Sequence, residues 1–238
     1  MKPLICLLLL LFISPAIQAW EISNELSQES RVYLQDGSFG NTDSVALTTT
    51  FQPDISHSWD DDRMVISILP YFRSSSPDQE RSQVDIREAS FVGSWEYVEL
   101  RAGISQVYWG VTESQHLVDV INQTDFVENS DGESKLGQLM IAPTLVTDYG
   151  NLSYFFLPHF RERTFPGSAG RFRTELVVDT NNPIYTNDEK EAHVDHAFRY
   201  TNYIEGVEYG LSYFTGTDRE PLFVQENESL RPKYVQMQ

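Results

Sequence analysis

From residue 97 the chain reads YVELRAGISQVYWG (97–110). Val98, Leu100, Ala102 and Ile104 are apolar, and Glu99, Arg101, Gly103 and Ser105 between them are charged or small. Successive side chains of a strand point to opposite faces, so this period of two describes a β-strand with one apolar and one polar face. The same alternation returns at 207–213, where Val207, Tyr209, Leu211 and Tyr213 flank Glu208, Gly210 and Ser212. It returns again at 194–201 and, less cleanly, at 151–160. Residues 84–95 keep the period only if a bulge near Arg87-Glu88 shifts the register. Helical periodicity is confined to a short stretch around Glu113–Val120.

Working outward gives nine strands: 22–35, 44–57, 63–74, 84–95, 97–108, 138–148, 151–160, 193–204 and 207–217. The connections at 58–62, 96, 149–150 and 205–206 are tight, and those between them are longer, with 109–137 and 161–192 the longest. Strict alternation of short and long connections between long strands is the pattern of an outer-membrane barrel, whereas a soluble sandwich mixes loop lengths. Trp59, Trp95 and Trp109 fall at or beside strand ends, as do Tyr97, Tyr108, Tyr149 and Tyr203, which is where interfacial aromatic girdles place their rings. The fold expected is therefore an all-β, antiparallel, up-and-down transmembrane barrel of nine to ten strands. Val98, Leu100, Ala102, Ile104, Val207, Tyr209, Leu211 and Tyr213 would face lipid. Glu99, Arg101, Ser105, Glu208 and Ser212 would face the lumen.

The N-terminus points to the compartment. Lys2 precedes the apolar run LICLLLLLFI (4–13), with Pro15 and Ala19 after it, which is the layout of a cleaved signal peptide over 1–19. The run is half the length of a membrane-spanning helix. Residues 20–238 then form the barrel domain. The only cysteine, Cys6, lies in the leader, so the exported chain has no disulfide. The 238 residues carry 35 Asp and Glu against 17 Lys and Arg, a formal charge of −18, which argues against nucleic acid as a partner. Aromatic content of 13% argues against a disordered acidic chain. An exported, acidic, cysteine-free and aromatic-rich chain fits a Gram-negative outer membrane. The sequons at Asn122, Asn151 and Asn227 are then chance matches.

The segments VYWGVTESQHLVDVINQTDFVEN (107–129) and FLPHFRERTFPG (156–167) resemble an uncharacterised porin-like family of Gram-negative outer-membrane proteins. The resemblance implies a transmembrane barrel and passive or facilitated passage of solutes, and it brings no catalytic residues. Members of that family are usually longer than this chain. Bacterial single-chain barrels also have an even number of strands. LRPKYVQMQ (230–238) reads as the start of a tenth strand, so an incomplete sheet is expected, with its first and last strands unpaired.

Candidate sites are few. Arg161, Arg163, Arg171 and Arg173 concentrate positive charge in one long loop and could line a constriction that attracts anions; equally, they could pair with loop carboxylates or touch lipopolysaccharide phosphates. Loop 109–137 carries Glu113, Asp119, Asp125, Glu128, Asp131 and Glu133 with Lys135. It is long enough to fold inward as a plug, although a solvated acidic rim is the simpler reading. Asp60, Asp61 and Asp62 lack the spacing of a calcium loop. His193 and Asp195 share a strand face that His196 does not, so a zinc site is not expected. Catalytic motifs, cofactor motifs and metal sites are absent from this reading. The function expected is a porin-like channel for small solutes, in contact with outer-membrane lipid and lipopolysaccharide and compatible with a homo-oligomer. The alternative is a non-conducting surface protein whose loops bind lipopolysaccharide or a partner.

Overall fold

The computed structural model describes residues 20–39, 42–109, 118–129 and 131–238. The leader, Glu113 and most of the stretch with helical periodicity lie outside the described residues. The main sheet consists of β1 (Glu21–Val32), β2 (Val45–Trp59), β3 (Met64–Ser76), β4 (Gln83–Ser94), β5 (Val98–Ser105), β6 (Gln138–Thr147), β7 (Gly150–Leu157), β10 (Asp195–Ile204), β11 (Val207–Thr217) and the two-residue β14 (Gln236–Met237). They are joined in that order, every pair antiparallel. Nine of the ten correspond to the nine strands read from the alternation, with ends shifted by a few residues.

Among the described residues the sheet is not closed: β1 pairs only with β2, and β11 pairs beyond β10 only through Gly216 and Thr217. The tail also departs from expectation. Within 230–238 most residues belong to β13 (Ser229–Tyr234), which joins β12 (Leu222–Glu226), β8 (Val177–Val178) and β9 (Ile184–Tyr185) in a separate small sheet. Only Gln236 and Met237 reach the main sheet. Pro232, which cannot donate to a ladder, sits in β13 rather than in the main sheet.

Four tight turns join strands at one end, the turn end, and the described parts of the long segments gather at the other, the loop end. Glu205 (φ 50°) and Gly206 (φ 90°) form the two-residue turn between β10 and β11, with the two positive φ values that match strand twist. The anticipated bulge is present. Leu69 pairs with Glu88 and Pro70 with Ile86, leaving Arg87 as the extra residue of β4. Gly103 sits at φ 120° in β5, where a Cβ would lie 2.2 Å from the Ala89 carbonyl oxygen of β4. Gly103→Ala is expected to cost about 1–3 kcal/mol through backbone strain, read as a lower urea midpoint. An unchanged midpoint would show that the two strands separate freely at this point.

Cross-strand partners share a face, so the register sorts the side chains. One face carries Val98, Leu145, Leu152, Tyr200 and Leu211 in one row and Phe91, Ala102, Ile141 and Phe156 in another. Many are open to solvent: Ile141 is 48% exposed, Leu152 49% and Leu211 71%. The opposite face carries Glu99, Arg101, Ser105, Ser153, Arg199 and Ser212, as the alternation predicted. Trp20, Trp95, Tyr97, Tyr149 and Tyr203 are exposed at or near the turn end. Trp109 does not join a girdle. It is 6% exposed and packs edge-on against Phe155, with ring centroids 5.2 Å apart, in a core with Ile121, Met140, Leu157, Ala197 and Phe214.

Candidate functional site: the charged interior beneath the loops

At the loop end the polar face is covered by segment 118–137. Asn122 holds it to the strands: its Oδ1 accepts from the Val107 N–H (2.8 Å), and its Nδ2 donates to the Ser105 carbonyl (2.8 Å) and the Leu136 carbonyl (2.9 Å). That amide is buried and fully bonded, so the Asn122 sequon is no glycan acceptor in this fold. Gln138 Nε2 donates to the His159 carbonyl at 2.6 Å, bringing the second long loop against the first. Ile121, Gln123, Asp125 and Leu136 are almost completely buried. The solvated-rim reading of this loop is therefore corrected: its central part is interior. Its apolar Ile121 and Leu136 enter the core, and the neighbouring polar groups find partners there.

The centre of this interior is Asp125, which is 0% exposed. Its Oδ2 accepts from Arg87 Nη2 (2.5 Å) and Arg73 Nη1 (3.4 Å), and its Oδ1 accepts from the Thr164 hydroxyl (2.8 Å). Arg73 stands on β3 and Arg87 is the bulge residue of β4; a bulge re-aims a side chain in this way. The Arg87 guanidinium lies 4.2 Å from the Tyr71 ring centroid and donates to the Lys135 carbonyl at 3.1 Å. Tyr71 donates to Glu128 (3.1 Å), and Glu128 lies 3.5 Å from Arg73 and 3.4 Å from Arg87. Burial works against the Asp125 carboxylate, but the two guanidiniums and the hydrogen bonds from Arg87 and Thr164 outweigh it and hold its pKa below the ordinary value.

The four loop arginines do not act together. Arg161 pairs with Asp85 (2.6 Å) and donates to the Gly137 carbonyl (3.0 Å). Arg163 donates to the Gln123 side chain (3.2 Å) and lies 3.8 Å from Glu220. Arg171 packs over Tyr33 and bonds to Thr42 and to the carbonyls of Gln35 and Asp43. Arg173 donates to the carbonyls of Phe39, Ser168, Thr174 and Glu175. Two therefore brace segment 118–137 and two brace the loop after β1. Asp119 accepts from the Trp109 N–H at 2.5 Å. Lys135 is buried and donates to Thr124; desolvation lowers its pKa.

A second interior group joins Asp195 and His193, which the sequence places on one strand face, to Arg219, which the sequence does not single out. Buried Asp195 accepts from Arg219 (2.7 Å), the Thr217 N–H (2.9 Å) and His193 (2.8 Å). Arg219 also donates to the Ile121 carbonyl at 3.0 Å, which ties the end of β11 to the inserted segment. His196, on the other face, bonds to the Tyr154 hydroxyl at 2.8 Å. Signals for Arg219 were weak, since an isolated arginine after a strand is ordinary. Arg87 did have one: it stands where the period of two breaks.

In the outer loops, burial raises the Glu162 pKa, opposed by the hydrogen bond it accepts from Tyr185, while nearby Glu191 raises it further. A raised folded pKa means that Glu162 favours folding below its unfolded pKa and loses that contribution as pH rises. Hydrogen exchange of residues 158–192 is thus expected to slow from pH 7 towards pH 4.5 after correction for intrinsic rates, and less so in Glu162→Gln. Equal responses of the two proteins would refute this role.

Comparison with known proteins returns no match, neither to a family nor to a characterised protein or a solved structure.

Proposed function

We propose that this chain is an outer-membrane, porin-like channel component for small solutes, its apolar sheet face against lipid and its polar face lining the passage. One observation carries the reading: a ten-stranded antiparallel sheet exposes a continuous apolar face, while its opposite face holds the charges and the inserted loop segment. A soluble protein of this build would cover such a face with a second layer, because exposed apolar patches of this extent mark an interaction surface. Aromatic rings concentrated near the turn end suit a membrane interface. Segment 118–137 would narrow the passage from the loop side, and the lumenal turn-side half would be lined by Glu99, Arg101 and Glu208.

Planar-bilayer recording of the purified protein tests the reading. Discrete conductance steps are expected. No steps across a range of salts, or recovery of the protein in a soluble periplasmic fraction, would refute it. A non-conducting surface protein would stay in the membrane fraction without steps.

A further inference from the structure

We propose that passage along the polar face favours small cations over anions, set by strand carboxylates in its turn-side half rather than by the loop arginines. The inference rests on the channel reading. The register puts Glu21 and Glu25 (β1), Asp54 (β2), Glu88 (β4), Glu99 (β5) and Glu208 (β11) on the polar face. Arg31 and Arg73 share that face at the loop end; in the turn-side half only Arg101 and Arg199 join these carboxylates as strand cations. No ion pair engages the six carboxylates, Arg101 or Arg199 among the described residues; Arg101 donates to Ser105 (3.2 Å) and Arg199 to the Trp109 carbonyl (3.1 Å). Glu88 accepts a hydrogen bond from Ser90, which leaves its charge intact.

The positive charge at the loop end is engaged differently. Arg73, Arg87 and Arg161 are balanced by Asp85, Asp125 and Glu128, and Arg31 and Arg81 share Glu29. Arg171 and Arg173 spend their donors on backbone carbonyls of the outer loops. The described part of the inserted segment therefore brings little uncompensated positive charge to the passage. The turn-side wall, by contrast, carries six unpaired carboxylates on five strands against two guanidiniums. The tight turns add Asp60, Asp61, Asp62, Glu96, Asp148 and Glu205 against Arg63 alone. A wall of one sign enriches the opposite ion within a Debye length, roughly 10 Å at 0.1 M salt. Any small hydrated cation is favoured; the geometry defines no coordination site for a particular one.

Reversal potentials in planar bilayers under a KCl gradient test this. The full chain should show potassium permeability exceeding chloride by about threefold or more near 0.1 M salt, falling towards unity near 1 M, where the Debye length is about 3 Å. Glu88→Gln, Glu99→Gln and Glu208→Gln together should lower the ratio. Arg101→Gln with Arg199→Gln should raise it, in a protein whose loop-end network is untouched. Clear steps with a reversal potential at zero or of chloride sign would overturn the selectivity while leaving the channel standing. Unchanged selectivity in both variants would overturn its assignment to these residues. The absence of steps would overturn both readings.

Discussion

Replacing Asp125 with alanine is expected to destabilise the folded protein by about 3–5 kcal/mol, the cost of leaving buried guanidiniums without their counter-charge. Arg73 and Arg87 both reach its Oδ2 and have side-chain exposures of 1% and 5%, so neither can turn to water without displacing the inserted segment. Thr164→Ala removes only one hydroxyl and should cost about 1 kcal/mol. Urea unfolding of the two variants gives the comparison, and hydrogen exchange shows whether 118–137 loosens first. A loss below about 1 kcal/mol for Asp125→Ala would mean that the network is hydrated and contributes little. Acid has a related effect. Because the folded pKa of Asp125 is depressed, its stabilisation is present above its unfolded pKa near 3.9 and is lost as pH falls through the folded value.

The second large effect separates membrane from water. Ile141 lies on the apolar face of β6, opposite Ala102 and Phe156, and is 48% exposed. In water, arginine at such a site changes stability by no more than about 0.5 kcal/mol. Facing the bilayer midplane, it costs about 2–4 kcal/mol. Ile141→Arg is expected to show the larger value when the protein is unfolded from lipid vesicles, and Glu99→Gln is expected to be nearly silent. Comparable small effects from both would remove the case for a lipid-facing surface.

The strands were legible because each carries its own evidence. Period two over seven or more residues marks a two-faced strand locally, and the break at Arg87 marked a bulge without knowledge of what the arginine meets. The interior was less legible. Nothing around Asp125 says that it meets Arg73 and Arg87 on β3 and β4, because those partners lie 52 and 38 residues away. Position after a strand suggests an interface for Trp109, but burial of that ring depends on Phe155 and Arg199, on strands not adjacent in sequence. LRPKYVQMQ reads as the start of a tenth strand; Gln236 and Met237 do pair with β11, whereas the residues of β13 pair with β8, β9 and β12. Local pattern gives the sheet; destinations of loop side chains follow from tertiary partners.

The directions of the edge strands have a consequence for how such a sheet can be sealed. Counted across the nine long strands, β1 and β11 both run from the turn end to the loop end. Bringing them together would create a seam of like-directed strands, whose slanted hydrogen bonds are slightly weaker per residue than those of an antiparallel ladder. A second copy in the same membrane orientation offers only that same direction at both of its edges. A strand descending from the loop end, as Gln236 and Met237 do beside Gly216 and Thr217, satisfies both edges antiparallel. An all-antiparallel seal therefore demands an odd number of added strands, of which the first and last descend.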